Sequence, residues 1–248
     1  MIAIRGLSKS LDRRVVLNRV DLDVAKGETL VVIGRSGCGK SVLLKHVLGL
    51  MKPDSGTVTI FGKQLDQLDR THLYELRMRC GVLFQGGALF DSLTVAENVG
   101  LGLSENTSKS KAEIADIVAE RLEWVGLAGV GPRAPSDLSG GMRKRAALAR
   151  AIAMDPEIVL YDEPTTGLDP ITAEGINDLI VRLRERLKVT AIAVTHDMNS
   201  AFKIGDRIAM LHDGHIIFDG SVDQVRNSSD PIVQQFIAGA TTGPLEPL

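Results

Sequence analysis

Aromatic residues make up only 4% of this 248-residue chain, and none of its Phe, Tyr or Trp residues precedes Phe61. A ligand held by the first part of the chain therefore cannot rely on ring stacking there. Cysteine is scarcer still, with 2 residues, Cys38 and Cys80. That is too few for a disulfide framework, and no paired Cys or His spacing suggests zinc, so both are expected as reduced thiols. Lys and Arg number 29 against 31 Asp and Glu, a net charge of −2. Such a balance gives no bulk attraction toward nucleic acid or anionic lipid. No run approaches the ~18 consecutive apolar residues of a membrane span. Residues 1–6 lack the long apolar core of a signal peptide. No internal repeat is evident. These absences lead to the expectation of a soluble, intracellular α/β chain: one domain with an insertion, of a length that allows it.

What is present begins with Gly34-Arg35-Ser36-Gly37-Cys38-Gly39-Lys40-Ser41, which fits the phosphate-loop pattern G-x-x-x-x-G-K-[ST]. Thr29 to Ile33 before it is apolar and β-branched, as a buried parallel strand should be. Residues 41–48 after it read as a helix, whose positive end would face the same phosphates. The glycines let successive backbone N–H groups turn inward. Lys40 would reach the β- and γ-phosphates, and the Ser41 hydroxyl would ligate Mg²⁺. A glycine turn matching by chance would lack the strand before and the helix after.

A second apolar strand, Ile158-Val159-Leu160-Tyr161, runs into Asp162-Glu163-Pro164. Asp162 would hold Mg²⁺, usually through water, and Glu163 would polarise the attacking water. Pro164 cannot donate to a ladder, so the strand ends there. A third strand, residues 190–194, leads to His196, which at a strand end can reach a γ-phosphate. Far from the first loop stands Leu138-Ser139-Gly140-Gly141-Met142. Ser139 is a good N-cap and the two glycines leave the first amides unobstructed, so this is a second anion-binding helix start. Two such starts suggest a site shared between two chains. The helix is expected from Met142 to about Met154, and Arg143-Lys144-Arg145 as a charged first turn beside a bound anion rather than a nucleic-acid patch.

With these motifs in place, the chain resembles the ATP-binding-cassette ATPases along nearly all its length. In family order stand the phosphate loop 34–41, a Q-loop glutamine at Gln85, the signature 138–142, Asp162-Glu163, a D-loop at Gly167-Leu168-Asp169, and the switch histidine His196. The resemblance implies a RecA-like P-loop NTPase core with a small antiparallel β part and an inserted α-helical subdomain. It implies catalytic roles for Glu163, His196 and Gln85, with Gln85 joining Ser41 and Asp162 as a Mg²⁺ ligand. It also implies a head-to-tail homodimer. Each ATP would lie between one chain's phosphate loop, Gly34 to Ser41, and Ser139, Gly140 and Gly141 of the other. Two departures stand out. Met142 replaces the usual glutamine, and Leu11 stands where relatives carry a ring over adenine.

Residues 85–95 (QGGALFDSLTV), Met142 and the tail sequence around Phe236-Ile237-Ala238-Gly239 more narrowly resemble the Mce/Mla-type lipid-transport ATPases. That implies membrane-permease subunits, an Mce-domain lipid-binding partner, and a peripheral place on the cytoplasmic face of the inner membrane. Other readings are the ATPase of a polar-solute importer, a soluble cassette ATPase of iron–sulfur assembly, translation or DNA repair, or a silent binding module. Retained Lys40, Asp162, Glu163 and His196 oppose the last. The absence of a basic stripe opposes a nucleic-acid partner.

The remaining segments sort around that frame. The ATPase domain is expected over residues 1–238, with the helical insertion at about 86–155. Ser110-Lys111-Ala112-Glu113 reads as a capping box opening an amphipathic helix, with Trp124 in its core. Residues 207–218 read as a hairpin about Asp213-Gly214, and residue 221 opens a last helix. Residues 239–248 form an irregular tail. By the same resemblance it would dock on the other subunit through Leu245 and Leu248.

Overall fold

The computed structural model describes residues 1–245. They gather into two compact units, one formed by Met1–Asp69 with the chain from Ile192 onward, the other by Arg70–Ala191.

The first unit opens with β1 (Ile2–Leu11) and β2 (Arg14–Val24), an antiparallel hairpin closed by Leu11 opposite Arg14. The two turn residues, Asp12 and Arg13, have φ of 48° and 66°, as a two-residue turn matched to strand twist requires. Along β2, Leu17, Val20, Leu22 and Val24 are buried while the residues between them face outward. β3 (Thr29–Ile33) is buried at every residue and leads into α1 (Lys40–Val47). β4 (Ser55–Ile60) pairs antiparallel with β1, and β5 (Lys63–Gln64) with β4, giving the sheet order β2-β1-β4-β5. This is the antiparallel part.

The chain then builds the second unit. α2 (Arg70–Met78) precedes β6 (Cys80–Leu83), and two helices follow, α3 (Val95–Asn106) and α4 (Lys111–Trp124). Both start at full capping boxes, Thr94 with Glu97 and Ser110 with Glu113, so their first amides are satisfied locally. α5 (Gly140–Ile152) packs on α3, α4 and β6 through small buried residues including Ala146, Ala147 and Ala151. β7 (Ile158–Asp162) runs parallel to β6, with Cys80 opposite Ile158 and Leu83 opposite Tyr161. α6 (Pro170–Leu187) then leads to β8 (Thr190–Thr195), within which the boundary between units falls. The stretch expected as a helical insertion lies within this unit.

Back in the first unit come α7 (Met198–Ile204), β9 (Arg207–His212) and β10 (His215–Ser221). β9 lies parallel to β3, with Leu30 opposite Arg207 and Ile33 opposite Met210. The β9–β10 hairpin turns at Asp213 and Gly214, with φ of 44° and 79°, as the sequence predicts.

Three expectations need correction. The last helix is two, α8 (Val222–Arg226) and α9 (Pro231–Ala238), because Pro231 restarts the helix behind a new N-cap, Asp230. Trp124 is not a core residue: it is half-buried between the guanidinium groups of Arg121 and Arg186, 4.0 and 3.7 Å from the ring centre. Leu245 is turned into its own chain. Gln235 Nε2 donates to the Leu245 carbonyl at 2.9 Å, and the Leu245 N–H donates to Gln235 Oε1 at 2.6 Å. Leu245 is also buried within its own chain, so its side chain is not held out as an apolar anchor. Leu248 lies outside the described residues.

Candidate nucleotide site

The phosphate loop follows from β3. A Cβ on Gly34 would stand 2.3 Å from the Leu211 carbonyl oxygen and 2.8 Å from Cys38 Sγ, so no side chain fits there. Gly39, at φ 109°, is the N-cap of α1, and it supplies no side-chain cap to the helix. Thr94, Ser110, Ser139 and Asp169 do cap α3, α4, α5 and α6 with side-chain oxygens. With no side-chain cap and no acidic residue in its first turn, the N-terminus of α1 suits an anion. Lys40 is buried across the loop, its Nζ donating to the carbonyls of Gly34 at 2.7 Å and Arg35 at 3.0 Å. Ser41 follows in the first turn. This charged, glycine-lined cradle fits a polyphosphate. His196 is exposed just past β8, which neighbours β3 in the sheet. Gly34 and His196 thus follow adjacent strands of the first unit.

The second unit carries the other candidates. Gln85 is exposed two residues beyond β6. Asp162 ends β7, and Glu163 follows at φ 48°, buried, with Thr166 Oγ1 donating to its Oε2 at 3.0 Å. A left-handed glutamate is unusual and must be held in place by its surroundings. Ser139 caps α5 by accepting the Met142 N–H at 3.3 Å. A Cβ on Gly141 would lie 2.5 Å from Thr172 Cγ2, so only glycine lets α5 approach α6 this closely. Asp169 caps α6 and accepts from the Thr172 hydroxyl at 2.5 Å, which holds its carboxyl below the usual range.

The charged run after the signature behaves differently from the expectation. Instead of a first turn facing an anion, its donors satisfy carbonyls of their own unit. Arg143 donates to Leu138 at 2.6 Å, Arg145 to Val125 at 3.3 Å, and Lys144 to both Gln85 and Glu163. Burial lowers the Lys144 ammonium's pKa, opposed by the nearby charges of Asp162 and Glu163. Nothing in the sequence pattern marked Lys144 out, since an exposed basic turn is spelled the same way. Leu11, proposed to lie over the base, is half-exposed at the end of β1.

Burial pushes the Cys80 thiol up to about 12, which makes it a poor nucleophile. Cys38 lies in the phosphate loop, next to the start of α1. Iodoacetamide should therefore modify Cys38 well before Cys80, and Mg-ATP should protect Cys38. Equal labelling with and without nucleotide would remove Cys38 from the site.

A phosphate loop set between a buried strand and a helix N-terminus defines the class: a P-loop nucleoside-triphosphatase. The family model described as ABC transporter matches residues 17–166, and the chain belongs to that family. It is the ATP-binding, ATP-hydrolysing component of such a transporter. It is 41% identical over 98% of its length to a probable ribonucleotide transport ATP-binding protein, mkl, of Mycobacterium leprae, spanning 70% of that protein. It is 40% identical over 99% of its length to the intermembrane phospholipid transport system ATP-binding protein MlaF of Haemophilus influenzae, spanning 93% of it. A solved dimeric post-hydrolysis state of the ATP-binding cassette MJ0796, bound to ADP and Pi, is similar at a TM-score of 0.82 and 34% identity. That match covers 90% of this chain and 99% of the other.

Proposed function

We propose that this chain is the ATPase subunit of a transporter that moves phospholipid between membranes. The observation that carries the reading is the match to MlaF, which spans nearly the whole of both chains. The run at 85–95, with its resemblance to lipid-transport ATPases, supports it. Residues 1–238 act as one ATPase domain. Two copies work head to tail beneath permease subunits, with an Mce-domain lipid-binding protein beyond the membrane. Among the described residues no helix is long and apolar enough to cross a membrane. The chain sits at the cytoplasmic face through its permease.

The chemistry follows from the residue types. The amides of residues 37–41 and the Lys40 ammonium bind the β- and γ-phosphates, and the signature amides of Ser139, Gly140 and Gly141 face the nucleotide held by the other copy. Ser41, Asp162 and Gln85 would hold Mg²⁺, which when bound would supply positive charge to the nucleotide's phosphates. Among the described residues no three His, Cys, Asp or Glu side chains cluster to hold a metal unaided; a site that leans on substrate phosphates suits Mg²⁺. Glu163 orients and polarises water, and His196 contacts the γ-phosphate.

A second reading, ribonucleotide transport, takes its support from the mkl match. The tagged chain purified from detergent extract, together with its integral membrane partners, decides between the two. Reconstituted in liposomes, that complex should move labelled phospholipid in an ATP-dependent way. Movement of labelled ribonucleotide with none of phospholipid would transfer the assignment to the second reading.

A further inference from the structure

Lys144 occupies a place that neither its sequence context nor the family assignment explains. It lies in α5, three residues beyond Gly141 in the chain's signature helix, yet only 5% of it is exposed. Its ammonium donates to the carbonyl of Gln85 and, at 3.1 Å, to the carbonyl of Glu163. Those two residues follow neighbouring strands. β6 and β7 are parallel, with Leu83 opposite Tyr161, and Gln85 and Glu163 each come two residues later. One cation thus spans the backbone just beyond two neighbouring strands. On one side it holds the segment carrying the Q-loop glutamine, on the other the peptide of the water-polarising glutamate.

The need for such a brace is visible at Glu163. Its left-handed backbone, φ 48°, is uncommon for a residue other than glycine and persists only where neighbours over-determine it. Thr166 holds the end of the side chain, and Lys144 holds the carbonyl. A neutral donor would make a weaker bond than an ammonium. The long, buried lysine stem brings a charged donor to this spot.

We propose that Lys144 is a positioning residue for ATP hydrolysis: by bridging the backbones of Gln85 and Glu163, it fixes the catalytic glutamate and the Q-loop glutamine relative to each other and to the signature helix. The claim rests on the reading of Glu163 as the residue that polarises water. Lys144 itself touches no reacting atom. Its contribution is geometric, and misplacement of a catalytic group by about 1 Å can cost on the order of 100-fold in rate.

The test compares Lys144→Met, which keeps the stem and removes the donor, with Lys144→Arg, which keeps a charged donor. Both are made in the full 248-residue chain and assayed with Glu163→Gln in parallel. Lys144→Met should lower kcat by about 10- to 100-fold, with KM for ATP and the affinity for a fluorescent ATP analogue within about twofold of the parent. Lys144→Arg should recover much of the lost turnover. Parental kcat in Lys144→Met overturns the proposal. Equal loss in the Met and Arg variants also overturns it, because side-chain shape rather than the donor would then matter. If Lys144→Met does not fold, Lys144→Leu, which also lacks a donor, replaces it under the same criteria. The parallel variant separates the two ideas: parental hydrolysis by Glu163→Gln removes the role of Glu163 itself. Inactive Glu163→Gln beside fully active Lys144→Met removes only the brace.

Discussion

Glu163→Gln should lower ATP hydrolysis by about 10²- to 10⁴-fold while leaving ATP bound, the span a lost general base typically costs. The substitution is unusually clean in this setting. Glutamine has nearly the volume of glutamate, and its amide oxygen can still accept the Thr166 hydroxyl that now donates to Glu163 Oε2 at 3.0 Å. The backbone hydrogen bond from Lys144 to the Glu163 carbonyl does not involve the side chain. Neither the left-handed turn nor its support changes, and what disappears is the carboxylate's basicity. The loss should fall on kcat, with little change in nucleotide affinity. A protein that binds ATP without hydrolysing it should also collect in the nucleotide-sandwiched form. In Mg-ATP, Glu163→Gln should elute as a dimer by size-exclusion chromatography, where the parent relaxes to monomer as ATP is consumed. Parental turnover in the complete complex would show that Glu163 does not polarise the water.

How far the sequence alone could lead depended on the range of the interaction. The capping box at Ser110, the Ser139 cap and the Asp213-Gly214 turn are each decided within about four residues of chain, so their spelling is nearly their structure. β3 and β7 were legible for a related reason, since strands buried on both faces read as unbroken apolar runs. The failures are tertiary. Whether Lys144 faces solvent or crosses under two loops depends on where residues 85 and 163 arrive, and no local pattern carries that information. Trp124 read as core because tryptophan usually is, but Arg186, 62 positions later in the numbering, supplies a guanidinium face that lets the ring stay half-exposed. Leu245 read as a free anchor because nothing nearby in sequence claims it. The claimant is Gln235, ten residues back, whose amide pairs with both its N–H and its carbonyl. Polar residues that satisfy distant backbone groups are the element that sequence periodicity misses.

Lys40→Ala should strike binding where Glu163→Gln spares it. The Lys40 ammonium lies inside the loop, 2.7 Å from the Gly34 carbonyl and 3.0 Å from that of Arg35. In the proposed complex it faces the β- and γ-phosphates, the most highly charged part of the nucleotide. A charge-assisted hydrogen bond contributes about 1.5–3 kcal/mol, so removing this one should weaken ATP binding by roughly 10- to 100-fold. The same lysine also holds the loop's own carbonyls, and its loss could act through the loop's shape instead of through the phosphates. The nucleotide series separates these routes. A phosphate-facing charge is worth most to ATP, less to ADP and little to AMP, whose single phosphate does not extend to the β and γ positions. A collapsed loop would weaken all three alike. Isothermal titration of the parent and of Lys40→Ala with the three nucleotides in Mg²⁺ gives the answer directly. A loss that grades from ATP to AMP places the ammonium on the terminal phosphates. An equal loss across the series would leave Lys40 as a structural brace of the loop.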